Sequence, residues 1–258
     1  MLNAGSKPER LTVEIEGAVA RIVLANPPLN VIDIAMMEQL AETLADIERR
    51  PSVMAIVFAG TERVFSAGVD IPAHEPHSVR EMLGKFHGVI RAMVASRKLL
   101  IASVRRHCLG GGAELALMCD VIYASSDAVF AFPEIKLGAF PPVASVALAA
   151  CVGQKRAAEL VLTARSLTAK EALEMGLVNA IADDPETLVT ETIARVKQLS
   201  PAALSIAKKA FYAWDAIHFD KGLAKAEQIY NDELMKTEDA KEGIKAFIEK
   251  RRPRWTGR

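Results

Sequence analysis

At 258 residues, 51% hydrophobic and 25% charged, the chain can bury a sizeable core as one large domain, or as one domain with an appendage. Its 32 Lys and Arg balance its 32 Asp and Glu, so no overall field draws it to nucleic acid or to an anionic membrane. The longest apolar stretch, residues 143–152, falls short of the roughly 20 that a membrane span needs.

The start, residues 1–10, is polar and has no signal-peptide hydrophobic region. Cys108, Cys119 and Cys151 form no CxxC pair and no zinc-type spacing with histidine. Together these features predict reduced, buried thiols and a cytoplasmic protein. A basic cluster, Lys250-Arg251-Arg252-Pro253-Arg254, closes the chain and reads as a solvated helix end rather than a nucleic-acid site.

In chain order, residues 11–16 and 18–24 alternate or run apolar around Gly17, which predicts two strands joined by a tight turn. Asp33 is placed to cap a helix whose Met37, Leu40, Leu44 and Ile47 share one face. Residues 53–58 read as a buried strand, followed by a loop over 59–77. Ser78 with Glu81 has the spacing of a capping box, opening a helix with Met82, Leu83, Phe86, Ile90 and Met93 inward. The pattern then repeats: a strand at 99–104, a glycine loop, a short helix from Ala113, and a strand at 121–124. Strands alternating with helices predict an α/β core. From about residue 143 the pattern is mostly helical, with a second capping box at Thr168 and Glu171 and a helix stop at Gly176. After Pro201 only helical patterns occur, so the division predicted is a core over 1–200 and a helical region over 201–258. No internal sequence repeat is detectable.

Gly110-Gly111-Gly112 lies between a strand and a helix opening at Ala113-Glu114. Glycines allow close backbone approach, and a helix N-terminus offers unpaired amides that suit an anion, including the oxyanion of a thioester. A tight turn that needs glycine only for packing fits equally well. Leu115 breaks GxGxxG, no Gly-Lys-Ser/Thr follows a glycine loop, and Val64 breaks GxSxG before Ser66. Glu134, flanked by apolar residues in Ala131-Phe132-Pro133-Glu134-Ile135, is either a desolvated acid of raised pKa or a partner of Lys136. Glu114 is either a proton-transfer group or a helix-dipole partner. His74 and His77 lack a third ligand, so no metal site is expected.

Four segments in order resemble the crotonase (enoyl-CoA hydratase) family, over essentially the whole chain. Phe65-Ser66-Ala67-Gly68-Val69-Asp70 resembles its first oxyanion-hole motif, and Cys108 to Asp120 its second. Phe132-Pro133-Glu134-Ile135-Lys136-Leu137-Gly138 resembles the segment bearing the second acid, and residues 240–251 the C-terminal helix. The resemblance implies an α/β fold, a spiral of repeated β-β-α units with an all-helical C-terminal trimerisation region, assembled as a homotrimer or homohexamer. It implies oxyanion amides at Val69 and Gly111, catalytic glutamates at Glu114 and Glu134, and an acyl-CoA substrate. Coenzyme A contacts would fall at Ala67, Asp70, Ile71 and Lys250, with no metal and no redox cofactor. Retention of both glutamates favours hydration over isomerisation or thioester hydrolysis, and makes a non-catalytic RNA-binding or scaffold role the least favoured.

One stretch departs from the usual hydratase pattern. Where a glycine-rich loop follows the second acid in ordinary members, this chain has Phe140-Pro141-Pro142-Val143-Ala144-Ser145, a stiffer wall for an acyl pocket. The pattern of Cys108 to Gly112, Pro133 to Phe140 and Ala144-Ser145, with residues 229–235 and 240–250, is similar to the cyclohexa-1,5-diene-1-carbonyl-CoA hydratases of anaerobic aromatic degradation. The expected substrate is therefore a cyclic dienoyl-CoA.

Overall fold

The computed structural model describes residues 9–75 and 77–258, so residues 1–8 of the polar start lie outside the described residues. Strands β1 (Leu11–Glu16) and β2 (Val19–Leu24) form the predicted antiparallel hairpin, turned at Gly17 with φ 59°. Asp33 caps α1 (Ile34–Glu48), accepting from the Met36 amide at 2.8 Å, and Met37, Leu40, Leu44 and Ile47 are buried as the spacing predicts. Strand β3 (Ala55–Ala59) is buried throughout.

Helix α2 (Val79–Ala95) buries Met82, Leu83, Phe86, Ile90 and Met93, but the expected Ser78–Glu81 capping box does not form. Ser78 already has helical backbone angles, whereas a cap residue must be extended to aim its oxygen at the first turn. Its hydroxyl instead donates to the Glu75 carbonyl at 3.3 Å.

The chain continues through β4 (Leu99–Val104), β5 (His107–Leu109), α3 (Gly111–Leu117), β6 (Val121–Ser125) and β7 (Val129–Ala131). Next come α4 (Pro142–Val152), α5 (Gln154–Thr163), β8 (Leu167–Thr168), α6 (Ala169–Glu174), β9 (Ala180–Ala182) and α7 (Pro185–Val196). Both halves of the Thr168–Glu171 capping box are present at α6. After Pro201 the chain is helical, as the pattern predicts: α8 (Pro201–Phe211), α9 (Ala213–Asp232) and α10 (Glu238–Ile248).

The large sheet has the order β1-β2-β3-β4-β6-β9, parallel from β2 onward, and a small sheet has the order β5-β7-β8. Successive units share one plan. Each places a strand in the large sheet, then a shorter extended piece beside it, then a helix. In β4–β5–α3 and β6–β7–α4 the shorter piece is a strand. In β3–α2 it shrinks to a single parallel bridge, Ser66 to Cys108. The spiral of β-β-α units is thus real, although the units share no readable sequence repeat.

Helix α9 packs on α4 and α2, and its Phe219, Leu223 and Tyr230 join the main core. The C-terminal helices therefore close over the α/β layers. In the basic cluster, Arg251 folds back onto α10, pairing with Glu242 and Glu249. The expectation of three buried thiols is corrected: Cys108 is buried, Cys119 half-buried and Cys151 exposed, because the last turn of α4 reaches the surface. No described helix is long and apolar enough to cross a membrane.

Candidate active site

The spiral brings three loops side by side. The Ser66–Cys108 bridge and the β5–β7 pairing, in which Leu109 faces Ala131, align the segments ending in Val69, Gly111 and Glu134. Alternate amides in these segments are consumed by that pairing. Asp70 N donates to the Ile32 carbonyl at 3.1 Å, Leu109 N to Ser66 at 3.0 Å and Gly110 N to Ala131 at 2.9 Å. The Val69 and Gly111 amides take no part in it. Gly111 opens α3, where a first-turn N–H has no helical acceptor. A Cβ added at Gly111 would lie 3.4 Å from Val69 N and 2.5 Å from Val69 Cγ2, so the two backbones touch and only glycine fits. Two neighbouring free amides at a helix start can stabilise an oxygen that gains negative charge.

Glu114, on the first turn of α3, is 3% exposed. Its Oε1 accepts from the Ala144 amide at 3.0 Å, at the start of α4. Burial raises its pKa to about 7, against the Val143 and Ala144 amides, which favour the ionised form. Pro142 at the first position of α4 costs nothing here, since its missing N–H would have had no helical acceptor.

Glu134 begins a single 3-10 turn, Glu134–Leu137, and its Oε2 is buried with no partner among the described residues. Of the two readings the sequence left open, the desolvated acid is the one observed; no ion pair with Lys136 forms. Burial, and then the charge of Glu114, push the Glu134 carboxyl well above the usual range. The opposite oxygen lies over Gly110: a Cβ there would be 2.8 Å from Oε1, and Gly110 has φ 51° and ψ −129°, which side chains avoid. Two neighbouring acids in unlike surroundings can divide the work, one holding a proton while the other takes one.

Ala67, Val69, Ile71, Gly111, Glu114 and Glu134 all border one cavity of about 90 Å³, walled by Met82, Leu83, Phe86, Leu137, Phe140 and Pro142. Asp70 and Lys250 do not border it. Asp70 offers its backbone carbonyl to His74 Nδ1 at 3.0 Å, and Lys250 stands exposed beyond α10. Among the described residues no group of three or more His, Cys, Asp or Glu gathers as metal ligands. A larger cavity of about 400 Å³ lies at Val146–Cys151 on α4, against α8 and α9; Leu117 to Asp120 at the end of the second motif border it, but neither glutamate nor either oxyanion amide does.

Residues 14–258 match the family model described as enoyl-CoA hydratase/isomerase. The chain belongs to this family. Among relatives, it is 33% identical over 258 residues to a cyclohexa-1,5-dienecarbonyl-CoA hydratase of Thauera aromatica, with 100% of both chains covered. It is 37% identical over 251 residues to a probable enoyl-CoA hydratase of Rhizobium meliloti, covering 95% of this chain and 96% of that one. An enoyl-CoA hydratase structure from Mycobacterium avium subsp. paratuberculosis superposes with a TM-score of 0.86 at 30% identity, covering 96% of this chain and 99% of the other. With its family this chain is an acyl-CoA hydratase, a carbon–oxygen lyase of crotonase fold.

Residue-by-residue reading missed two polar groups on the hydratase cavity. His87 lies on the inward face of α2 and is fully buried, and Tyr230 lies on α9 and is 1% exposed. The signal for His87 was present in its position, a lone polar residue directly after Phe86 on an apolar face.

Proposed function

We propose that the chain adds water to a conjugated acyl-CoA thioester, with cyclohexa-1,5-diene-1-carbonyl-CoA as its preferred substrate. The observation that carries the hydration step is one cavity bordered by two free amides, the buried Glu114 and the Glu134 carboxyl, whose Oε2 is shut off from solvent. The amides of Val69 and Gly111 receive the thioester carbonyl oxygen as it gains charge. Glu114, whose ionised form the Ala144 and Val143 amides favour, takes a proton from water, and the water oxygen bonds to the carbon β to the carbonyl. Glu134, whose ionisation burial and the charge of Glu114 oppose, delivers its proton to carbon. Proton exchange with solvent then returns both carboxyls to their starting states.

Support for the ring comes from the wall and from the likeness to the Thauera aromatica hydratase. Phe140, Pro142 and Leu137 close a small apolar cavity that favours a flat ring over a long chain. In a cyclic diene the addition of hydroxide gives a dienolate, which takes its proton at the far end of the conjugated system. Ala67, Ile71, Asp70 and Lys250 are proposed for coenzyme A, the last reaching a neighbouring subunit. The same reading makes the protein a cytoplasmic homotrimer or homohexamer, built through residues 201–258, that acts without a metal or redox cofactor.

Competition between cyclohexa-1,5-diene-1-carbonyl-CoA and crotonyl-CoA on purified protein tests the substrate. The diene is expected to win in kcat/KM by at least about tenfold, roughly 1.4 kcal/mol of transition-state binding. Equal or better use of crotonyl-CoA would leave a general short-chain enoyl-CoA hydratase.

A further inference from the structure

Two buried side chains on different helices border the acyl cavity, each with one polar atom that has no partner among the described residues. One is His87 of α2. Its Nδ1 lies 2.7 Å from Glu227 Oε1, and Arg91 holds the two oxygens of the same carboxylate at 3.1 and 3.2 Å. The hydrogen bond from His87, with those from Arg91, holds the Glu227 carboxyl down at about 2. An ionised carboxylate can only accept, so Nδ1 carries the proton toward it. The other ring nitrogen, Nε2, is buried with no partner among the described residues.

The other is Tyr230, one helical turn after Glu227 on α9. Its ring packs against Phe140 with centroids 5.2 Å apart, which a phenylalanine would do equally well. Its hydroxyl is buried without a partner among the described residues, and an unpaired buried hydroxyl is a net cost to the folded chain. A group that weakens the fold and lines the reaction cavity is explained by what it binds there.

A hydroxyl and an unpartnered ring nitrogen on one cavity are complementary to a single oxygen that can both donate and accept. The third unpartnered atom, Glu134 Oε2, borders the same space. We propose that Tyr230 and His87 hold the oxygen that the reaction adds to carbon, as water beforehand and as the product's hydroxyl afterwards. Tyr230 and Nε2 of His87 each make one hydrogen bond to that oxygen. Neither residue makes or breaks a covalent bond: the proton of the water goes to Glu114, its oxygen to carbon, and the proton of Glu134 to carbon. The assignment rests on the hydratase reading of the two glutamates.

The test separates ligands with and without that oxygen. Dissociation constants for 3-hydroxybutyryl-CoA and butyryl-CoA are measured by calorimetry on the full chain and on Tyr230→Phe. The variant is expected to lose about tenfold in affinity for the hydroxy ligand while keeping butyryl-CoA within about twofold. Its thermal stability should be unchanged or raised, because an unpaired hydroxyl is gone. His87→Asn, which keeps a donor for Glu227 and removes Nε2, should show the same selective loss. Equal losses on both ligands, or no loss on either, would overturn the assignment. Hydration of crotonyl-CoA and of the cyclic diene by the unaltered protein is measured alongside. If it hydrates neither, the hydratase reading itself falls; if it hydrates one and the ligand ratio does not move, only the roles of Tyr230 and His87 fall.

Discussion

The backbone amide of Ala144 donates to Oε1 of Glu114 at 3.0 Å, tying the start of α4 to the carboxylate that opens the neighbouring helix α3. The contact resists the full effect of burial on Glu114, which leaves this acid with a pKa of about 7 while Glu134 is held well above the usual range. Near neutral pH one carboxyl of the pair is losing its proton and the other keeps it. Hydration by a Glu114 base and a Glu134 acid should therefore rise in kcat/KM as pH climbs through about 7, then fall at higher pH as the pair loses its second proton. A pH profile with crotonyl-CoA checks this. A plateau reaching down to pH 5 would show that the base is an ordinary exposed carboxylate.

Replacing either acid by its amide keeps the shape and removes the proton chemistry. Glu114→Gln and Glu134→Gln should each lower turnover by roughly two to four orders of magnitude. Binding of a non-reacting thioester such as butyryl-CoA should survive, because the amides of Val69 and Gly111 are untouched. Steady-state kinetics with calorimetric binding separates the two effects. An amide variant with full turnover would reduce that residue to a structural acid.

The same burial has a consequence for stability. A carboxyl whose pKa is raised on folding holds a proton that the unfolded chain releases. Its contribution is fully present below the unfolded value near 4.5 and is lost as pH rises toward the folded one. Glu134→Gln should thus match the parent chain near pH 4 and become progressively more stable than it between pH 5 and 8. Urea denaturation at several pH values measures the gain. A difference that stays flat with pH would mean that Glu134 is solvated in the folded chain.

Much of this arrangement was legible in the sequence, and the misses have common physical causes. Long periodic segments declared themselves: the alternation of β1 and β2 and the spacing of Met37, Leu40, Leu44 and Ile47 in α1 needed no tertiary context. Strands β5, β7, β8 and β9 span only two or three residues, too few for any period, and exist because neighbouring strands pair with them. The failed cap at Ser78 has the same origin, since the turn before it had already set its backbone. Glu114 and Glu134 stood out one at a time, yet only the parallel register of β5 on β7 makes them share a cavity. Tyr230 lies more than ninety residues downstream of Glu134 and meets it only because α9 packs across α4 and α2.

Gly110 offers a test of how closely Glu134 is seated. Its backbone angles belong to glycine, and a methyl group there would lie 2.8 Å from Glu134 Oε1. Gly110→Ala should cost about 1–3 kcal/mol in stability from backbone strain. By displacing the carboxylate, it should also lower turnover at least about tenfold while butyryl-CoA still binds. A stable variant of unchanged turnover would show that the acid has room to move without consequence.

The last prediction concerns what closes the acyl pocket. Phe140 borders the cavity, leans on Tyr230 with ring centroids 5.2 Å apart, and is followed by Pro141 and by Pro142 at the start of α4. Proline fixes φ, so this wall cannot swing aside as a glycine-rich loop would, and the aromatic ring fills the space where a longer acyl chain would run. Truncation in Phe140→Ala opens that space without touching either glutamate or either amide. Crotonyl-CoA should lose some efficiency through looser packing of Tyr230, while 2-hexenoyl-CoA gains room. The ratio of kcat/KM for 2-hexenoyl-CoA over crotonyl-CoA should rise by at least about tenfold, since two added methylenes finding a cavity are together worth roughly 1.5 kcal/mol or more. Proportional loss on both substrates would place the length limit elsewhere, at Leu137 or Met82 on the other walls of the same cavity.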